Sequence, residues 1–276
     1  MQGPGPDAAP AAEAVRHVAG LAPHLSAGGL AQRAGGLSGG GLAHHAGDLW
    51  QRALATQPLP PSWLVLVSAG LALAAVVSPR LWRAARIVVT IVHESGHALA
   101  ALVTGRRLAG VRLYRNTAGV TESAGKAAGP GIVLTAAAGY PAPSLLGLGA
   151  AALLAVGHLT AMLLLSLVLL AGLLIAIRNA YGMLAVLVTG GAIAAVSLLA
   201  APEVQAGFGY VMAWFLLLGG VRPVIELQRE RRQGGPRRTD ADQLARLTRL
   251  PGAAWVGIFG IVALAALAVS ARWLVG

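Results

Sequence analysis

Long apolar runs begin at Ser62 and recur to the end of the chain, separated by short polar or basic stretches. A helix that crosses a membrane needs about 20 mostly apolar residues, and somewhat shorter ones are tolerated. The pattern therefore predicts an all-α polytopic membrane protein with about seven transmembrane helices. The predicted spans are 62–79, 86–104, 131–154, 158–177, 182–201, 207–222 and 252–274.

The residues before the first span have a different composition. Residues 1–60 are rich in Ala, Gly, Pro and His and show no sustained period, which is typical of a flexible arm. Residues 61–276 would form the transmembrane domain, with 222–251 as a basic cytoplasmic loop. Within the third span, Gly139-Tyr140-Pro141-Ala142-Pro143 is expected to break or kink the helix because proline removes a helix hydrogen bond.

Composition supports the membrane interpretation. Apolar residues make up 56% of the chain, only 11% are charged and the mean hydropathy is +0.69, so a soluble globule could not cover its apolar surface. The net charge of +11 comes mostly from arginines between apolar runs, without a nucleic-acid motif. The expected surroundings are therefore a lipid bilayer and not nucleic acid. Because the chain has no cysteine, disulfides and thiolate metal sites are excluded.

The distribution of basic residues predicts an orientation. With seven spans and a cytoplasmic N-terminus, most of the 21 Lys and Arg residues would lie on the cytoplasmic side. Cytoplasmic loops of membrane proteins carry such an excess of positive charge. We therefore expect a multi-pass protein of the plasma membrane whose arm lies in the cytoplasm.

The second predicted span contains a metal-binding pattern, His93-Glu94-Ser95-Gly96-His97. His93 and His97 are four residues apart, so on a helix they share one face and can reach one zinc ion. Glu94 would act as the general base, taking a proton from a zinc-activated water and passing it to the leaving amine. Ionisable side chains inside an apolar span are costly, and their presence indicates function.

Several segments resemble the site-2 proteases, a family of intramembrane zinc metallopeptidases. The first resembles that family's zinc-binding helix and reads VTIVHESGHALAALVTG. The likeness continues in GVRLYRNTAGVTESAG, GYPAPSLLG, RNAYG, WFLLLGGVRPVIEL and TDADQLARLT. Together these segments cover about residues 80–260 and look like a bacterial branch of predicted peptidases. The resemblance implies zinc as cofactor and a membrane-anchored protein as substrate.

A catalytic zinc site needs a third protein ligand. Glu226 and Glu230 lie among arginines, where ion pairs are expected, and the candidates that remain are Glu122, Asp240, Asp242 and the neutral His158. Site-2 proteases supply an aspartate from a Leu-Asp-Gly motif, which Thr239-Asp240-Ala241 resembles most. The resemblance therefore implies Asp240 as ligand. Since Ala241 replaces the glycine of that motif, Asp242 stays open as an alternative, and both aspartates could instead cap a helix.

The stretch from Arg107 to Gly125 is too polar to cross a membrane. Its alternating apolar residues and the turn at Asn116-Thr117-Ala118-Gly119 predict a short β-hairpin at the membrane surface, after the zinc helix. In the site-2 proteases a comparable strand is thought to receive the substrate in extended form. An edge strand can do so by adding the substrate to the sheet.

The predicted function is zinc-dependent cleavage of a membrane-anchored protein in or near its transmembrane helix. His93, His97 and Asp240 would hold the metal, and Glu94 would be the catalytic base. The alternative is a non-proteolytic membrane protein that keeps the helix for metal binding or scaffolding. The intact pattern from His93 to His97 favours the enzyme.

Overall fold

The computed structural model describes residues 53–234 and 239–276, together with Gly47 and Gln51. The predicted arm, 1–60, lies for the most part outside this part of the chain. Ala53–Gly276 forms one compact unit. The domain boundary at residue 60 stays a prediction.

The described residues form nine helices and one pair of strands. In chain order they are α1 (Ser62–Val77), α2 (Pro79–Val103), β1 (Arg107–Leu113), β2 (Gly119–Ala124), α3 (Pro130–Ala137), α4 (Pro141–Ala155), α5 (Leu159–Ala176), α6 (Ala180–Leu199), α7 (Pro202–Arg232), α8 (Asp240–Leu247) and α9 (Gly252–Val275).

Proline marks where most of the apolar helices start. Its ring presets a helical φ, and its missing N–H costs nothing in the first turn, where that group has no partner within the helix. Prolines occupy the first turns of four helices: Pro79 in α2, Pro130 in α3, Pro141 in α4 and Pro202 in α7. Pro61 and Pro251 stand directly before α1 and α9. These helix starts therefore follow from local sequence.

Five helices in the described part of the chain are long and apolar enough to cross a membrane, namely α2, α5, α6, α7 and α9. The pair α3 and α4 would make a sixth span, but it is bent by 70° at its break. α1 is apolar and has only 16 residues, fewer than the about 20 that a span needs. The prediction of a mostly helical multi-pass membrane protein is confirmed, whereas the count of seven spans is not.

The break between α3 and α4 falls in the predicted Gly139-Tyr140-Pro141 segment. It also lies where α2 comes closest. A Cβ added to Gly96 of α2 would stand 2.5 Å from Ala142 Cβ and 2.7 Å from the carbonyl oxygen of Ala138. Gly96 therefore allows the part of α2 that carries His93 and His97 to pack directly against the break.

Helices α4, α7 and α9 lie side by side, and α7 is antiparallel to the other two. Gly220 near the middle of α7 contacts Ser144 near the start of α4. Arg231 at the end of α7 contacts Gly252 at the start of α9. The first turn of α9 therefore lies beside the last turn of α7, and α4 begins beside the part of α7 around Gly220.

α1 runs in the same direction as α7. Ser68 Oγ donates to the carbonyl oxygen of Gly207 at 3.4 Å, and Arg222 donates to the carbonyl of Val76 at the last turn of α1. α1 therefore begins at the end of the bundle where α7 begins and finishes where Arg222 lies.

The predicted β-hairpin is confirmed as a two-stranded antiparallel sheet, with Arg112 opposite Val120. The chain reverses between Tyr114 and Ala118, where Thr117 has a positive φ of 63°. Val111 of β1 is fully buried and forms a parallel bridge with Ile177, which follows α5. The hairpin therefore lies beside the end of α5. Leu159 at the start of α5 lies against Gly209 near the start of α7, so the end of α5 lies on the side of the C-terminal turns of α7. We call this end of the molecule the hairpin end.

Candidate metal centre

Three side chains from two distant segments meet at the hairpin end. α2 carries His93 and His97 one helical turn apart, and Asp240 is the first residue of α8. The two Nε2 atoms lie 3.1 Å apart, and Asp240 Oδ2 is 3.2 Å from each of them. Among the His, Cys, Asp and Glu side chains that the structure describes, these three form the cluster that could hold a metal ion.

The hydrogen bond between His97 and the Thr135 carbonyl determines which ring nitrogen of a neutral His97 carries the hydrogen and which one presents a lone pair to the cluster. His97 Nδ1 lies 2.7 Å from the carbonyl oxygen of Thr135, which can only accept, so Nδ1 carries the hydrogen. A neutral His97 then presents the lone pair of Nε2 to Asp240. A lone pair and a carboxylate oxygen repel each other unless a proton or a metal ion lies between them. Metal-binding histidines commonly have such a carbonyl partner on the other ring nitrogen.

The carboxyl group of Asp240 favours its ionised form. Burial alone would raise the pKa of Asp240. When Nε2 of His93 and Nε2 of His97 carry protons, their hydrogen bonds and positive charge outweigh burial, so the pKa of Asp240 is lowered. A carboxylate and two imidazole nitrogens are a ligand set that zinc uses in catalytic sites, where a fourth position stays open. In a tetrahedral site with bonds of about 2.1 Å, neighbouring ligand atoms are roughly 3.4 Å apart. The observed separations are slightly shorter, so the donor set fits zinc.

The break between α3 and α4 closes one side of the cluster. A Cβ on Gly139 would stand 2.4 Å from His97 Nε2 and 2.6 Å from His93 Nε2, so only a glycine leaves this space open. The ring of Tyr140 meets His93 edge-on, with 4.9 Å between centroids, and stacks on Phe259 of α9 at 5.1 Å. The break therefore leaves room for an ion and orients one of its candidate ligands.

Glu94, the predicted base, lies between α2 and the hairpin. Its side chain is almost fully buried, at 4% exposure. Thr121 of β2 donates from Oγ1 to Glu94 Oε2 at 2.6 Å. A Cβ on Gly119 would come within 2.4 Å of Glu94 Oε1, so β2 passes directly over the carboxylate. The hairpin thus holds this acid in one place.

A family model described as Peptidase M50B-like matches residues 66–270. The match covers more than half of the chain and includes the three clustered side chains and Glu94. The chain belongs to the Peptidase M50B-like family. The predicted resemblance to the site-2 proteases is therefore confirmed. No curated protein matches the chain, and no solved structure does.

The other acids considered as ligands of this M50B-like chain lie away from the cluster. Asp242 accepts hydrogen bonds from Thr239 and Arg231. Glu122 is on the outer face of the hairpin, half exposed and 3.7 Å from Arg112.

The remaining candidates lie elsewhere along the helices. His158 directly precedes α5, whose first residue, Leu159, lies against Gly209 near the start of α7. Glu226 pairs with Arg222 at 2.8 Å and with Arg86 at 3.7 Å, in the manner predicted for an acid among arginines.

Three contributors to this M50B-like site were not predicted from sequence. Thr135 contributes a backbone carbonyl, which any residue type could supply. Thr121 is one polar residue among several on an alternating strand. Gly139 lies in a segment whose resemblance to the family was visible, but the need for a glycine arises from α2, more than 40 positions earlier. Local sequence carried no sign of these contacts.

Proposed function

We propose that the chain is a zinc-dependent intramembrane endopeptidase that cleaves a membrane-anchored protein in or near its transmembrane helix. The observation that carries the proposal is the convergence of His93, His97 and Asp240 on one point close to the buried Glu94. Membership of a metallopeptidase family supports it. The apolar helices around the site support a substrate that is itself in the membrane.

In this proposal, His93 and His97 bind zinc through Nε2, and Asp240 binds it through a carboxylate oxygen. A bound zinc ion would supply Lewis-acid chemistry, which polarises a carbonyl group and makes a water molecule more acidic. Glu94 accepts the proton of the attacking water on its carboxylate and delivers it to the nitrogen of the leaving amine. The hydrogen bond from Thr121 holds that carboxylate in position.

The hairpin offers one strand edge to a substrate. On the outer edge of β1, Arg178 N–H donates to the carbonyl of Val111 at 2.9 Å, and the Asn179 side chain bonds both backbone groups of Leu113. The other edge of β2 has no strand partner among the described residues. Because β2 passes over Glu94, we propose that an extended segment of the substrate adds to this edge.

We further propose that the hairpin end faces the cytoplasm. Apart from Arg272 at the end of α9, every described Lys and Arg lies in or directly beside the hairpin, in the first turns of α2, where Arg86 pairs with Glu226 of α7, or at that end of the bundle. The positive-inside rule then places that end in the cytoplasm. Since α1 starts at the opposite end, its first residue would lie on the extracytoplasmic side. The arm was predicted in the cytoplasm, on the assumption of seven spans, and lies for the most part outside the described residues.

Because the chain has no cysteine, single cysteines can report the side. Ser62→Cys marks the start of α1 and Gln233→Cys marks the hairpin end; both positions are exposed. In intact cells, a membrane-impermeant maleimide should label the cysteine at position 62 and not that at 233. The reverse labelling would contradict the proposed orientation.

The function itself is tested by zinc content and cleavage. The full chain would be purified in detergent as wild type, Glu94→Gln, Asp240→Asn and, as a matched control acid, Glu122→Gln. We expect close to one zinc per chain in all but Asp240→Asn. Cleavage of a transmembrane reporter peptide should be lost in Glu94→Gln although its zinc is retained. If the wild-type protein contained no zinc, the proposal would be refuted. If the wild-type protein bound zinc but did not cleave the reporter, the alternative function, a non-proteolytic metal-binding or scaffolding protein, would be favoured.

A further inference from the structure

The segment that carries Asp240 is a short helix. α8 has eight residues, and an isolated helix of that length does not stay formed in water. Its apolar face is held by packing, since Ala241 and Leu244 are fully buried in a cluster with Phe259 of α9 and Leu227 of α7. Apolar packing is non-directional, whereas a hydrogen-bonded ion pair has a specific geometry and can define the rotation of α8 more closely.

Asp242 supplies that contact. Its Oδ2 accepts from the backbone N–H of Thr239 at 3.2 Å and from Thr239 Oγ1 at 2.7 Å, which caps the start of α8. Its Oδ1 accepts from the guanidinium of Arg231, in the last turn of α7. The Asp242 side chain is only 8% exposed, so the carboxylate end of the ion pair is largely shielded from water.

Gly252 leaves the space in which Arg231 lies. A Cβ at position 252 would stand 2.6 Å from Arg231 Nη2. The atoms it would meet are the far end of a flexible side chain, which can swing away at little cost to the backbone. A methyl group at this position would therefore move the guanidinium without changing any charge.

We propose that Arg231 and Asp242 are positioning residues for Asp240. Successive residues on a helix are about 100° apart, so Asp242 points about 200° away from Asp240, toward nearly the opposite side of α8. By anchoring Asp242 to α7, Arg231 fixes the rotation at which Asp240 Oδ2 is 3.2 Å from both imidazoles. The inference rests on the proposed zinc site and assigns Asp242 a role through Asp240, not as a ligand.

Zinc affinity of the full chain in detergent, measured by competition with a chromophoric chelator, tests the inference. The variants are Arg231→Gln, Arg231→Lys, Asp242→Asn and Gly252→Ala. Arg229→Gln is the matched control, because it removes an exposed arginine from the same turn of α7. The melting temperature of the zinc-free protein, measured in EDTA, separates loss of positioning from loss of fold.

Loss of a residue that orients a metal ligand typically weakens binding 10- to 100-fold. We expect Arg231→Gln and Asp242→Asn to weaken zinc binding by about 10-fold or more, Arg231→Lys and Gly252→Ala by less, and Arg229→Gln not at all. Gly252→Ala should weaken zinc binding with little change in the melting temperature of the zinc-free protein.

Wild-type affinity in Arg231→Gln and Gly252→Ala would overturn the positioning role while leaving the proposed function intact. If wild type itself bound no zinc, the proposed function would fail and this inference with it. Should Arg231→Gln not fold, Gly252→Ala and Arg231→Lys decide the question.

Discussion

Thr121 Oγ1 donates a hydrogen bond of 2.6 Å to the carboxylate of Glu94, which joins the hairpin to the helix that carries both histidines. The carboxylate is buried, so the hydroxyl is one of few groups available to orient it. An ionised group in such a place depends strongly on its hydrogen-bond donors. Through this contact the hairpin holds the carboxyl group of Glu94 in place.

Removing the hydroxyl should slow cleavage without removing zinc. Thr121→Val keeps the shape of the side chain and loses its donor. A hydrogen bond to a charged group contributes about 1.5–3 kcal/mol, so we expect kcat/KM to fall about 10- to 100-fold. The measurement is reporter cleavage alongside zinc content. Thr189→Val in α6, which loses a bond only to the carbonyl of Ala185, should leave both unchanged.

Filling the space at Gly139 should prevent metal binding. In Gly139→Ala the new methyl group would stand where the two Nε2 atoms approach each other, within 2.6 Å of both. We expect zinc content to fall to a small fraction of wild type. Gly149→Ala in α4 is the control, since nothing lies within 4 Å of a Cβ there. Equal zinc in the two variants would show that the ion does not occupy this space.

The anchor between α6 and the hairpin should contribute to stability. Asn179 precedes α6 and both accepts from Leu113 N–H at 3.2 Å and donates to its carbonyl at 2.7 Å. Asn179→Asp loses the donor and places a carboxylate against that carbonyl. We expect the free energy of unfolding to fall by about 1–3 kcal/mol, seen as a lower melting temperature. Asn116→Asp should have little effect, because Asn116 only accepts, from Ala118 N–H.

Asp242 should make the zinc-free protein sensitive to acid. Burial alone would raise the pKa of Asp242, but hydrogen bonds from Thr239 and Arg231 and the guanidinium charge outweigh it and lower the pKa. A carboxyl group whose pKa is lowered in the folded state stabilises the fold at pH values above the ordinary aspartate pKa of about 3.9. That stabilisation disappears as the pH falls through the lowered pKa of the folded state. Melting temperatures in EDTA between about pH 6 and 3 should therefore fall more steeply for wild type than for Asp242→Asn. Parallel curves would contradict this.

Much of the architecture could be predicted from local pattern. Apolar runs and prolines locate the helices, and alternation with a turn at Asn116–Gly119 locates the hairpin, because helix and strand formation respond to nearby residues. The number of spans could not be predicted so well. The prolines after Gly139 predicted a break in the third span, but the angle of 70° at that break and the short length of α1 depend on how neighbouring helices pack, which no local window contains.

The sequence by itself determined that His93 and His97 share one helix face and that Glu94 lies between them in the chain, since four residues make about one turn. It also limited the candidates for a third ligand to Glu122, Asp240, Asp242 and His158. Only the tertiary structure brought Asp240, and not Asp242, to the histidines. The two aspartates differ by about 200° around a short helix, and packing on α7 and α9 together with the contact to Arg231 determines which of them faces α2. Those contacts join side chains of separate helices, and the spacing of residues within one motif carries no information about how separate helices pack.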